Sequence, residues 1–109
     1  MFGLRSRAAG LVEAAGIDCR SRAGGWLMIM LVRQGKALRR ASRASVSDEA
    51  IILEAGQQLI QHPQAAASLA GQGKIAISEA EALLATIAAR AHVFKVMATA
   101  AKNVFGTST

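Results

Sequence analysis

The chain of 109 residues has one cysteine, one proline, one tryptophan, three phenylalanines and no tyrosine. Each scarcity removes a class of protein. The lone thiol, Cys19, cannot close an intrachain disulfide or build a thiolate metal cluster, and it does not report a redox compartment. Aromatics at 4% leave few large anchors for a core and few platforms for stacking nucleobases. β-Branched residues are thin outside a few spots, which disfavours an all-β fold. Acidic side chains are scarce as well, seven against thirteen Lys and Arg, for a net charge of +6.

What the chain has in quantity is alanine, within a hydrophobic share of 52%. Alanine is the best helix former and a poor core filler, so the composition points to closely packed helices with few large anchors. At this length about two thirds of the unfolded surface can be buried, enough for one domain. The expected fold class is therefore mostly α. It should be a small domain of three to four helices with a long C-terminal helix, and an N-terminal part that is extended or docked on partners.

The charge is uneven. Residues 1–46 hold nine basic side chains against Glu13 and Asp18; residues 47–109 hold four against five acids. Such asymmetry points to an acidic partner for the first half: nucleic acid, an anionic surface or a negative protein face. The start, "MFGLRSRAAGLV", has the arginine-rich, acid-poor character of an organelle transit peptide, but that reading is not the one expected. Glu13 and Asp18 stand where the apolar region of a secretory signal would have to be. The expected location is intracellular or within a particle. The division expected is a basic N-terminal segment, 1–46, and a helical part, 47–109, forming one structural unit.

The stretch "AGGWLMIMLV", 23–32, carries no charge and no hydroxyl. Periodicity alone cannot separate helix from buried strand there, but the continuation decides it. At 100° per residue, Arg33, Lys36, Arg40 and Arg43 fall on one stripe with Arg39 at its edge, and Met30, Ala37, Leu38 and Ala41 fall opposite. One helix of roughly 18 residues is the economical reading, with Gly35 its weak point and "GIDCRSRAGG" a loop before it. Upstream, residues 2–16 suit a short helix carrying Leu4, Leu11, Val12 and Ala15 on one side.

Downstream, Ser47 is placed to cap a helix over about 48–61, with Asp48 and Glu49 in its first turn and Pro63 ending it. Ile51, Ile52, Ala55, Leu59 and Ile60 form its apolar face. "QAAASLAGQG" reads as a short helical turn closed by Gly71 and Gly73. Ser78 and Glu81 have capping-box spacing before a helix over about 79–105. Its main apolar face is Leu83, Ile87, Ala91, Phe94, Ala98, Ala101 and Phe105. A second apolar strip, Ala89, Val93, Val96 and Ala100, lies nearly opposite, which suits either a helix threaded through its own core or one packed on another chain.

Chemistry is largely excluded. His62 and His92 fall on different helices with no Cys, Asp or Glu at ligand spacing, so no metal is expected. "SLAGQGKIAISE" echoes a calcium loop, but Ser68, Ala70 and Gln72 would occupy the first three ligand positions, leaving no carboxylates. No Ser/Thr follows Gly-Lys, so it is no phosphate cradle either. No nucleophile elbow or catalytic set appears, so neither cofactor nor enzymatic role is expected.

These readings converge on a non-catalytic interaction subunit of a larger multi-protein assembly, a virion or similar multi-copy particle being one that suits such a chain. The expected partners are other protein subunits, in a homo- or hetero-oligomer. Apolar contact is expected from Trp26, Leu27, Ile29, Met30, Leu31, Val93, Phe94, Val96 and Phe105. Contact with an acidic partner is expected from Arg33, Lys36, Arg39, Arg40 and Arg43. Two alternatives stand: a peripheral membrane protein inserting 23–32 at an anionic interface, and a non-specific nucleic-acid binder using the 33–43 stripe. The 23–32 stretch is too short to span a bilayer, and Arg90, His92, Lys95 and Lys102 make spanning by the C-terminal helix costly.

Overall fold

Two serines begin helices by the same device. Ser47 Oγ accepts from the Ala50 N–H at 3.1 Å, with Asp48 and Glu49 following in the first turn. Ser21 Oγ accepts from the Gly24 N–H at 3.0 Å and donates to the Asp18 carbonyl at 2.6 Å. The second cap extends the helix into the expected loop, so Ala23, Gly24 and Gly25 are helical. A computed structural model describes residues 3–42 and 45–106, with side chains described as far as Ala100. It contains α1 (Leu4–Ala14), α2 (Arg22–Ala41), α3 (Asp48–Leu59), α4 (Ala65–Gly73) and α5 (Ile77–Gly106), and no strand among the described residues.

Helix ends account for most departures from the expected boundaries. At the end of α1, Gly16 takes φ +78°, its N–H bonds the Glu13 carbonyl, and the Ile17 N–H reaches the Val12 carbonyl at 3.1 Å. That is a Schellman stop, which a glycine serves best. At the end of α4 the left-handed position falls on Lys74, at φ 55°, not on Gly71 or Gly73. The Ile75 N–H then bonds the Ala70 carbonyl and turns the chain early into α5. Consequently α5 starts at Ile77, and Ser78 sits inside its first turn instead of capping it. α3 stops at Leu59, because tight bonds from Gln61 and His62 to the Gln58 and Leu59 carbonyls divert the chain before Pro63. Ile60 is thereby 47% exposed and leaves the apolar face assigned to it.

One core draws on all five helices. Leu27, Leu31, Ile52, Leu69, Ile87 and Val12 are its large, fully buried side chains. Between them stand alanines with no exposure at all, Ala8, Ala55, Ala80 and Ala91. The N-terminal part is therefore not extended, since α1 packs on α2, α3 and α5. Gly56 shows how close the helices come. A Cβ there would lie 3.0 Å from Leu11 Cδ2, 3.2 Å from Ala91 Cβ and 3.3 Å from Ile87 Cγ2, so α3 meets α1 and α5 at a point with no spare room. Gly35, which looks like a weak point in the sequence, is buried against Ile51, Ile52 and Leu4 for the same reason. Arg39 closes the frame by bonding the Val46 carbonyl and the Asp48 carboxylate across the α2–α3 link.

Three substitutions test this packing by urea denaturation. Gly10, exposed in mid-α1 with open space around it, should gain about 0.5–1 kcal/mol of stability as Gly10→Ala. Gly56→Val should lose about 1–3 kcal/mol through overpacking. If the two shift the midpoint in the same direction, the close approach at Gly56 is wrong. Lys74→Gly should stabilise by about 1 kcal/mol, because glycine adopts the left-handed cap without strain; an unchanged or lower midpoint would count against that cap.

Candidate interaction surfaces

α2 divides its apolar stretch between the core and an open groove. Ala23, Leu27 and Leu31 recur every four residues and face inward, with Leu27 and Leu31 at 0% exposure. These two were expected to meet a partner, and they are instead spent on the chain's own core. Met30 is half-buried against that core. Ile29, at 42% exposure, stays on the surface. Trp26 is half-buried, tied to α4 by its indole N–H donating to Ser68 Oγ at 3.2 Å, and covered on one face by the Arg33 guanidinium, 5.3 Å from the ring centroid.

The outer side of α2 forms one wall of a groove of about 810 Å³. Its apolar lining is Trp26, Met28, Ile29 and Val32, and its cations are Arg5, Arg20, Arg22, Arg33 and Lys36. No carboxylate lines it among the described residues. Its cations are all exposed, and none is in an ion pair among the described residues, where the pairs are Arg39–Asp48 and Lys95–Glu54. The expected basic stripe is thus redistributed. Arg33 and Lys36 enter the groove, Arg39 is engaged within the chain, Arg40 is exposed outside the groove, and Arg43 lies outside the described residues.

Arg5, Arg20 and Arg22 were not singled out by the sequence. A signal existed for Arg22, since Arg22, Ile29, Arg33 and Lys36 share one helix face with Trp26 between them. Arg5 carried none, because only the packing of α1 beside α2 brings it there.

Cys19 lines the same groove. Its thiol donates to the Ala9 carbonyl at 3.6 Å, and its pKa is raised by burial first, then by the charges of Glu13 and Asp18.

The second surface belongs to α5. Its inner face buries Ala80, Leu84, Ile87 and Ala91, with Leu83 and Phe94 half-buried. The core ends there, and every residue from Lys95 to Ala100 is exposed, Ala98 of the expected main face included. At about 1.5 Å per residue, 30 residues span roughly 45 Å, against a molecular length of 51 Å and a girth of 28 × 26 Å.

The strip opposite the core is not covered by the described residues. Ala82, Ala85, Ala89, Val93, Val96 and Ala100 are all exposed, with Val93 at 43% and Val96 at 52%, and Met97 flanks them at 60%. Their spacing of three or four residues keeps them on one face. Thr86 and Thr99 donate their hydroxyls to the Ala82 and Lys95 carbonyls, so no spare hydroxyl donor from them interrupts it. Phe105 lies beyond the described side chains. By length and composition alone, Ile77–Ala100, whose most apolar 18-residue window has a mean hydropathy of 1.3, is long and apolar enough to cross a membrane. Lys95 on it donates to Glu54 Oε1 at 2.9 Å, and His92 Nδ1 lies 3.3 Å from Gln57 Nε2, which ties the exposed helix back to α3.

Among the described residues no group of three or more His, Cys, Asp or Glu is gathered for a metal ion. No family model matches the sequence, and comparison with curated proteins and with solved structures finds no significant match.

The raised Cys19 pKa has a kinetic consequence. Less thiolate at a given pH means slower alkylation, so at pH 8 iodoacetamide should react with Cys19 more slowly than with free cysteine. Glu13→Gln removes a charge that favours the thiol, and should speed the reaction severalfold. Equal rates for the two proteins would remove Glu13 from the account.

Proposed function

We propose that the chain is a non-catalytic helical subunit of a multi-protein assembly, held to a neighbouring subunit through the outer face of α5. The observation that carries this reading is the strip from Ala82 to Ala100, apolar and exposed on a helix that outruns its own core. Val93 and Val96 are about half exposed, so covering what remains of each stabilises by about 1 kcal/mol, and a row of alanines lets a second helix approach closely. Contiguous apolar surface of this kind marks protein contact more often than it marks an isolated monomer. A multi-copy particle, a virion among them, is the setting in which a small subunit with two outward-facing surfaces is most at home.

Sedimentation velocity at moderate salt tests the reading. The native chain should sediment as an oligomer, and Val93→Asp with Val96→Asp should give a monomer of unchanged helicity by circular dichroism. A well-folded native monomer at high concentration would defeat it. Flotation with phosphatidylserine vesicles is the complementary arm: if the native chain floats and the aspartate variant does not, the α5 face serves lipid and the assembly reading falls.

A further inference from the structure

The α2 groove has a chemistry that the α5 strip lacks, and it selects a different occupant. We propose that this groove receives an acidic amphipathic helix from another protein, its apolar face on Trp26, Ile29 and Val32 and its carboxylates on the cations of the rim. This deepens the reading of the chain as an assembly subunit, but it concerns a separate surface and can stand or fall without α5.

The arrangement of charge carries the inference. Arg22 and Lys36 both line the groove and stand fourteen residues apart on one helix, a separation of about 21 Å. Arg33 lies between them on α2, with Arg20 before the helix and Arg5 brought in from α1. A ligand with one anionic group can neutralise cations only within a few ångströms of it and would leave the far end of the groove unmatched. The occupant therefore carries several negative charges distributed along roughly 20 Å. Between the cations the lining is apolar, with Ile29 at 42% exposure, so the occupant also presents an apolar surface along the same length.

A helix of about fourteen residues has both properties when apolar side chains recur at three- and four-residue spacing and glutamates flank them. Nucleic acid meets the charge requirement but offers no apolar face to Ile29 and Val32. An anionic bilayer meets both in composition, but its flat surface does not enter a concavity of about 810 Å³. A second copy of this chain is disfavoured in this groove, because its own exposed apolar face, around Val93 and Val96 on α5, is flanked by Arg90 and Lys95 and not by carboxylates.

Trp26 supplies the readout. It is the only tryptophan, there is no tyrosine, and it lines the groove, so its fluorescence reports occupancy directly. The probe is an acetylated 16-residue peptide with leucines on one helical face and glutamates along both flanks. The same composition in scrambled order is the control. The designed peptide should give a saturable change in Trp26 emission at least tenfold more tightly than the scrambled one, weaken as salt rises, and slow alkylation of Cys19.

Arg22→Glu and Lys36→Glu, at opposite ends of the groove, should each weaken it severalfold and together at least tenfold. Arg90→Glu, which changes net charge equally but lies on α5, should change it less than twofold. Circular dichroism of each variant confirms the fold. Equal binding of the scrambled peptide, equal weakening by Arg90→Glu, or a Trp26 response to anionic vesicles or random-sequence DNA but not to the peptide would each overturn the proposal. These outcomes are independent of the sedimentation result, since none of the groove variants touches the α5 strip.

Discussion

The structure depends on how closely its helices approach at positions without side chains. Gly56 seats α3 against both α1 and α5, where a single Cβ would already press on three neighbours. Gly73 does the same between α4 and α2, where a Cβ would sit 3.0 Å from Ala23 Cα. Alanines at Ala8, Ala55, Ala80 and Ala91 keep the spacing short elsewhere. Interiors are close-packed, so small side chains force short interhelical distances. The consequence reaches the surface: a core this thin uses one face of each helix and leaves the other face to be explained. Both candidate surfaces, the groove along α2 and the strip along α5, are outer faces of helices whose inner faces are committed to that core.

How legible this was in the sequence depended on whether the signal was local. The mostly helical class, the Ser47 start and the long C-terminal helix rest on propensity, capping and spacing within one segment. Leu27 and Leu31 could not be separated from Trp26 and Ile29 by pattern alone, because 23–32 is apolar on every side and only the packed neighbours choose its inner face. Gly35 was read as a weakness for the same reason. A glycine in a helix costs propensity locally, and its value as a contact point exists only once Ile51, Ile52 and Leu4 are in place. Arg39 looked available to a partner until the fold brought Asp48 beside it. The groove depended on tertiary structure most of all, since Arg5 and Gln72 reach it from helices far apart in sequence.

The two surfaces differ in electrostatics, and the difference separates the partners proposed for them. The outer face of α5 is a neutral strip, so two like-charged copies could meet there without bringing their most basic regions together. The α2 groove concentrates unpaired cations around apolar lining, and a like-charged copy would be repelled from it. Attraction at such a rim steers encounter and sets register, while the desolvated apolar lining supplies most of the affinity. On the reading proposed above, the two faces would distinguish neighbours by charge at one and by shape at the other.

Length and composition of α5 would by themselves suit a bilayer as well as a protein neighbour, and the placement of its charges weighs between the two. Arg90 and Lys95 lie within the apolar stretch, and each would cost about 2.5–3.5 kcal/mol at the centre of a membrane. Lys95 would also give up Glu54, and His92 its neighbour Gln57, because crossing requires α5 to leave α3. Leaving would further expose Ala80, Leu84, Ile87 and Ala91 and strip the core of its longest wall. A protein neighbour asks for none of this. It covers Ala82 to Ala100, keeps the inner face packed, and leaves Arg90 and Lys95 in water at the edges of the contact. These costs are why the contact proposed for this helix, apolar enough for lipid, is another helix packed side by side.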